Sequence, residues 1–323
     1  MRVLLLIMGQ QRVILDRLYK EVEVAFDCCD IYRLTRAQHL DLSSVLREVR
    51  FQSYDRVVVF LRLKHLRRQL FVLRCIPELI FLDHDVCQNY MPESKYFGAY
   101  SRFYRKFPSA KVIVSSPTVA RVLRQESVDA YFVSKGYDER ALANINAVRD
   151  VDGAFLGSIK GNAYSLRRKT LDAISSSIDL LITRTESGDE YLSMLNRISI
   201  FVSADVGMGE YMIKNFEAMA CGCALVAWSQ GEEEDAALGF EDGRNVMLYR
   251  SAEEAVAKIE QLKADPELRA RIAAAGQAFA EQNYTFTRVG RDLARAIEQP
   301  LRPWPGLNRW QRLWARLRYG ISV

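Results

Sequence analysis

Residues 205–223 read D-V-G-M-G-E-Y-M-I-K-N-F-E-A-M-A-C-G-C and lie between two apolar, strand-like runs, Ile198 to Ser203 and Ala224 to Trp228. The pattern is strand, glycine loop, helix, strand. Gly207 and Gly209 permit a tight turn where the first strand ends, and a helix starting near Tyr211 aims its unpaired N–H groups into the crevice beyond. A helix N-terminus so placed attracts phosphate. Lys214 and Glu217 are three residues apart and share a helix face, presenting one cation and one carboxylate together. Gly222 then stops the helix.

Upstream, the runs Val3 to Met8, Val57 to Leu61, Leu79 to Leu82 and Val112 to Ser115 alternate with amphipathic stretches such as residues 12–22. This predicts a doubly wound α/β domain, in which ligands gather at the carboxyl ends of the strands. Gln10 and Gln11 follow the first run, and Asp83, His84 and Asp85 follow the one ending at Leu82. His84 has the intrinsic pKa for proton transfer or for a hydrogen bond to a sugar. The plainer use of these three residues is to cap the next segment. Residues 131–138 read as a strand ending in a glycine turn, and residues 141–152 after it are only weakly periodic. The expected organisation is a first domain over 1–145, a second over 152–298 and a basic, Trp-rich helix over 299–323.

The second domain opens with Ala154 to Leu156 running into Gly157-Ser158-Ile159-Lys160-Gly161, followed by Arg167, Arg168 and Lys169. Two glycines around a lysine, with arginine brought back by a helix, can clamp a diphosphate. Leu180 to Thr183 is a further short strand, after which comes Arg184.

The residues Lys214, Phe216, Glu217, Ala218, Met219, Ala220, Cys221 and Gly222, K-x-F-E-A-M-A-C-G, resemble the donor-site signature of GT-B glycosyltransferases, in particular the family 4 type and its spore-maturation-protein-like branch. The resemblance implies an α/β fold of two facing, doubly wound Rossmann-like domains with a cleft between them. It implies a nucleoside-diphosphate sugar as donor on the second domain, an acceptor on the first, and transfer without a metal ion or other cofactor. Glu217 would then hold the ribose and Lys214 lie near the diphosphate. Gly157, Lys160 and Arg168, with Arg167 as the alternative arginine, would contact the diphosphate, and Thr183 would border the nucleobase. His84 and Asp85 would face the acceptor. The usual pattern has a second glutamate eight positions before Glu217; that position is Gly209 here, and Glu210, expected at the donor sugar, is displaced by one. The family's last helix commonly crosses back onto the first domain.

Composition bounds the partners. The chain has 323 residues, 49% apolar and 26% charged, which suits two globular domains. Residues 1–150 hold 24 Lys+Arg against 17 Asp+Glu, residues 151–300 hold 16 against 23, and the remainder carries five arginines and no acid. The basic half predicts an anionic acceptor or surface, such as a glycan or lipid-linked acceptor of the lipopolysaccharide or polysaccharide type. Leu61 to Arg74, Tyr96 to Phe107 and the tail interleave aromatic or aliphatic side chains with cations, which suits an anionic membrane surface, or else core packing with a solvated rim. No nucleic-acid motif accompanies them, so no nucleic-acid partner is expected. Val3 to Met8 is too short for a signal peptide or a span, and the six cysteines lack zinc-site spacing, so a cytoplasmic chain with reduced thiols and possible peripheral contact at the inner membrane face is expected. Asp83-His84-Asp85 could hold a divalent ion in a different architecture, but not beside a second doubly wound half. A dehydrogenase reading of Gly207 to Met212 fails for want of the third glycine. A non-catalytic carbohydrate-binding or scaffold protein on the same fold is the alternative left by the displaced Glu210.

Overall fold

The computed structural model describes residues 1–10 and 14–323. Gln11 and the start of the predicted helix at residues 12–22 therefore lie outside the described residues. The first sheet contains β1 (Arg2–Met8), β2 (Cys28–Leu34), β3 (Arg56–Phe60), β4 (Leu79–Asp83), β5 (Lys111–Val114) and β6 (Asp129–Phe132), all parallel, in the order β2-β1-β3-β4-β5-β6. The second contains β7 (Val151–Leu156), β8 (Leu181–Thr183), β9 (Ile198–Ser203), β10 (Ala224–Trp228) and β11 (Met247–Tyr249), also parallel, in the order β11-β10-β9-β7-β8. Central strands buried on both faces need unbroken apolar runs, and Val3 to Ile7, Leu79 to Leu82 and Ile200 to Val202 supply them. β2, which the sequence reading did not include, is an edge strand whose Cys28, Asp30, Tyr32 and Arg33 are half-buried or exposed, so its apolar signal is weak.

Helix boundaries follow local chemistry. Ser116 caps the helix Pro117–Gln125 through its side chain, with proline at the first turn, and Asp265 does the same for Pro266–Asn283. Leu61 to Arg74 does not form one amphipathic helix. It breaks into the short helices Leu63–Leu66 and Leu70–Arg74, and Leu61, Leu63, Leu66, Val72 and Leu73 enter the core. Residues 96–107 form the helix Ala99–Tyr104, whose Phe103 and Tyr104 rings, with Phe107, surround Phe81 at centroid distances of 5.3–5.5 Å, while Arg102, Arg105 and Lys106 stay exposed.

The carboxyl edges of the two sheets face each other across the cleft. Glu210, beyond β9, reaches Lys135 and Ser115, beyond β6 and β5. Cys87 and Met91 pack with Met208, and the chain crosses between domains as a parallel bridge, Tyr137 N–H donating to Tyr284 O at 2.9 Å and Phe286 N–H to Tyr137 O at 2.8 Å.

One boundary is corrected. Residues 286–298, read from the sequence as the end of the second domain, form the helix Phe286–Glu298, which packs on the helix Asp16–Glu23 and beneath β1 of the first. Phe286, Val289, Leu293, Ala296 and Ile297 share a buried cluster with Val3, Leu5, Leu18 and Tyr19. Amphipathic spacing states that a helix face is buried but not against which sheet. The tail follows it across the same domain: Leu307, Ala315 and Ile321 are buried in the first core, Phe71 stacks on Tyr319 at 5.6 Å, and Arg47 donates to Tyr319 O at 3.1 Å. No helix among the described residues is long and apolar enough to cross a membrane.

Gly290 sits where the closing helix meets the first domain, and a Cβ there would lie 2.4 Å from Glu21 Cβ. Alanine would gain about 1 kcal/mol of helix propensity, whereas forcing a methyl into filled space costs about 1–3 kcal/mol, so the clash wins. Gly290→Ala is expected to lower the unfolding free energy by about 1–2 kcal/mol in chemical denaturation; a stabilised variant would show that the two helices pack more loosely than this.

Candidate functional site

Asp205 organises the glycine loop. Its Oδ1 accepts from Arg167 Nη2 at 2.7 Å, and its Oδ2 accepts from Met212 N–H at 3.0 Å, Asn215 Nδ2 at 2.8 Å and Ser203 Oγ at 3.3 Å. These bonds turn the chain from β9 into the helix Ile213–Ala220, two residues later than the sequence pattern placed its start. Gly207 and Gly209 take positive φ values of 73° and 66°. At Gly209, where the resembled pattern has glutamate, the left-handed backbone disfavours any larger residue, so the carboxylate sits one position on.

On that helix Glu217 accepts from Tyr191 Oη at 2.5 Å, and Lys214 Nζ lies 4.4 Å above the Tyr191 ring and 3.4 Å from its hydroxyl. Burial raises the Glu217 carboxyl above its ordinary range, opposed by Lys214 and by the Tyr191 hydrogen bond. All three border a cleft of about 390 Å³, together with Gly157, Ser158 and Arg167 from the second domain and Asp138 from the crossing segment. A volume of several hundred cubic ångströms fits a small-molecule ligand.

The remaining predicted residues fall differently. Gly157 lines the cleft, its N–H donating to Thr183 O at 3.0 Å, so Thr183 supplies a backbone partner while Arg184 and Thr185 border the space. Lys160 and Arg168 are exposed and do not line the cleft; Arg168 Nη1 lies 3.4 Å from Ile159 O. Arg167 is the buried arginine, held by Asp205, Ala204 O at 3.0 Å and Ser158 O at 3.1 Å and lying against the Tyr164 and Phe155 rings. It is a tie between loops whose donors are taken by protein.

Glu210 does not join Glu217. It is 2% exposed, bonded to Lys135 Nζ at 2.7 Å and Ser115 Oγ at 3.1 Å, on the first-domain side. There it faces the loop after β4. Asp83 is buried, accepts from Tyr104 Oη at 2.7 Å and from Asp85 N–H at 2.9 Å, and is pushed up to about 7, chiefly by burial and then by the neighbouring charge of Asp85. His84 packs on Phe60 at 5.1 Å, and burial with the nearby Lys135 ammonium pulls it down to about 3, so the ring is neutral at neutral pH. Asp85 is exposed. Among the described residues no cluster of three His, Cys, Asp or Glu is arranged to hold a metal ion. The six cysteines are free thiols, and burial raises those of Cys75, Cys87, Cys221 and Cys223.

The sequence reading did not reach Lys135, Tyr191, Ser115 or Ser116 as site residues. Each lies at a strand end or on a helix, and only the topology brings Tyr191 to the cleft and the other three to the seam between the domains. The position of Lys135 in Ser134-Lys135-Gly136, just beyond β6, was the one available signal.

With this geometry the comparisons fall into place. Residues 141–295 match the family model described as glycosyl transferase-like. Sucrose-phosphate synthase from Thermosynechococcus elongatus superposes with a TM-score of 0.67 at 13% identity, over 93% of this chain and 99% of that one. The chain has the fold of the GT-B glycosyltransferases. HepE of Anabaena, in complex with UDP and glucose, has a TM-score of 0.68 at 13% identity over 93% of this chain and 100% of its own. T4 phage BGT, in complex with its UDP-glucose substrate, has a TM-score of 0.57 at 14% identity over 93% and 100%. No curated protein matches the sequence. The GT-B domains here meet through a polar seam: Glu234 Oε2 accepts from Ser116 Oγ at 2.8 Å, and Glu233 pairs with Arg121 at 2.8 Å.

Glu234 gives that seam a pH dependence. Its Oε1 is buried without a hydrogen-bond partner among the described residues, and burial, with Glu210 nearby, raises the carboxyl from 4.5 to about 7. The folded protein therefore holds this proton to higher pH than the unfolded chain, and the associated stability is complete below about pH 4.5 and lost as pH rises through about 7. Glu234→Gln, neutral throughout, is expected to be more stable than wild type at pH 8 by on the order of 1–3 kcal/mol, and equally stable near pH 4.5, measured by thermal unfolding across pH. A difference that does not vary with pH would show that Glu234 is ionised in the folded protein.

Proposed function

We propose that the protein transfers a sugar from a nucleoside-diphosphate sugar to a glycan or lipid-linked acceptor, with the donor on the second domain and the acceptor on the first. The observation that carries this is the grouping of Tyr191 with Lys214 and Glu217 of the helix Ile213–Ala220, inside a cleft bordered by the Gly157 loop. The neighbours bound to UDP or UDP-glucose make uridine diphosphate sugars the first donors to test. In this reading the Glu217 carboxylate accepts from the ribose hydroxyls, and Tyr191 keeps it oriented.

The leaving diphosphate gains negative charge as the glycosidic bond breaks. Lys214 and the N–H groups opening the helix Ile213–Ala220 stand where that charge develops, and such preorganised donors are the largest single contribution in many enzymes. Lys160 and Arg168, on long side chains now in solvent, would turn inward only with donor bound. These cations would do the work that a metal ion does elsewhere, so the proposed reaction needs none. On the first domain, His84 is assigned as a neutral hydrogen-bond partner of the acceptor, and Asp85 as its exposed carboxylate neighbour. The buried Lys135–Glu210 pair sets the floor between donor and acceptor halves rather than reaching the donor sugar. An acceptor of the lipopolysaccharide or polysaccharide type at an anionic inner membrane face agrees with the basic first half of the chain.

A second reading, a non-catalytic sugar-nucleotide or carbohydrate binder, is favoured by one observation, the engagement of Glu210 away from Glu217. Thermal shift and turnover against a panel of nucleoside-diphosphate sugars separate the two. Wild type is expected to be stabilised by one donor and to turn it over, and Glu217→Ala to bind it about 10–100-fold more weakly, the loss of a hydrogen bond to a charged group. Binding without turnover on any acceptor would leave the binder, and no binding at all would end both.

A further inference from the structure

The outer face of the first domain holds a second pocket, of about 400 Å³, none of whose lining borders the cleft. Leu70 and Phe103 form its apolar base, and Arg67, Arg102, Arg105 and Lys106 surround it. None of the four cations has an ion-pair partner among the described residues. Like charges gathered around one hollow repel, and an anion in the hollow relieves that repulsion.

The surroundings extend the same chemistry. Residues 61–74 carry five Lys or Arg, residues 95–106 four and residues 299–323 five, without one Asp or Glu in any of the three segments. The fold gathers them. The pocket joins the first two, and the third adjoins through Phe71, the neighbour of Leu70, stacked on Tyr319, and through Trp304 Nε1 donating to Arg74 O at 3.3 Å. Beside this basic area the tail leaves Trp310 80%, Leu313 46%, Trp314 53% and Leu317 75% exposed, interleaved with the exposed Arg309, Arg312, Arg316 and Arg318. Tryptophan and aliphatic side chains alternating with arginine suit the boundary between lipid headgroups and acyl chains. Leu313 and Leu317 offer nothing for a base to stack on, which favours lipid over single-stranded nucleic acid.

We propose that this face docks on an anionic lipid bilayer, the pocket of Arg67, Arg102, Arg105 and Lys106 taking a lipid phosphate headgroup while Trp310, Leu313, Trp314 and Leu317 enter the interface. The docking deepens the membrane side of the proposed function, yet it is measured without donor or acceptor, so its failure leaves the transfer reaction standing. Guanidinium groups bind phosphate bidentately, and the apolar base accommodates the glycerol end of a headgroup.

The test is flotation of the full chain with vesicles of phosphatidylcholine alone and of phosphatidylcholine mixed with phosphatidylglycerol. Binding is expected only with the anionic mixture and weakens as salt is raised. R67E/R102E/K106E is expected to lower partitioning by roughly a hundredfold, from about 1 kcal/mol per basic residue. W310S/W314S should lower it independently at unchanged salt dependence. These exposed positions leave the unfolding temperature and the donor-induced thermal shift as in wild type. Equal binding to neutral vesicles, no binding to either, a triple variant that floats like wild type, or displacement of the protein from vesicles by an oligonucleotide would overturn the proposal. So would inorganic pyrophosphate protecting the pocket in a chain that ignores vesicles, because the ligand would then be a free phosphate.

Discussion

The Asp205 carboxylate is the constraint on which the donor half depends. It is buried and gathers the Arg167 guanidinium, the Met212 N–H, the Asn215 amide and the Ser203 hydroxyl around two oxygens. Breaking a buried pair of this kind leaves an uncompensated charge, at a cost of about 3–5 kcal/mol. Through it the end of β9, the glycine loop, the first turn of the helix Ile213–Ala220 and the Gly157 loop, reached by Arg167 through Ser158 O, are set relative to one another. Lys214 and Glu217 inherit their direction from that arrangement.

Between the domains the contacts are of another character. Lys135–Glu210 is fully buried, Ser116–Glu234 is buried with one oxygen unpartnered among the described residues, and Arg121–Glu233 is exposed. Desolvation decides the first two, while solvent screening makes the third worth little. An interface of this kind can separate without exposing a large apolar surface, whereas the closing helix Phe286–Glu298 is bound to the first domain by apolar packing. Motion is therefore expected to concentrate at the seam and at the Tyr137–Thr285 crossing.

Much of this was legible in the residues. Unbroken apolar runs identified the central strands, and the three-residue spacing put Lys214 and Glu217 on one face, where the structure has them. What could not be read was partnership at a distance. Arg167 and Arg168 are adjacent in sequence, and nothing local says that the first is buried against Asp205 while the second is exposed. Tyr191 reads as one more residue of an amphipathic helix until β9 brings it beside Glu217. β2 was missed because an edge strand with Asp30 and Arg33 lacks the apolar signature, and the amphipathic spacing of Leu61 to Arg74 does not record the break at Arg67 to Gln69.

The return of residues 286–323 to the first sheet makes the second domain an insertion within the first. Arg56 bonds to Ile297 O and Lys111 to Pro300 O, so strands made early are completed by segments made much later. The inserted domain has all its strands between residues 151 and 249 and can assemble as a unit during synthesis. The surrounding one must wait, its β1 to β6 sheet lacking the cover on one face that only the distal chain provides. Translation thus imposes an order of maturation opposite to the order of the domains along the polypeptide.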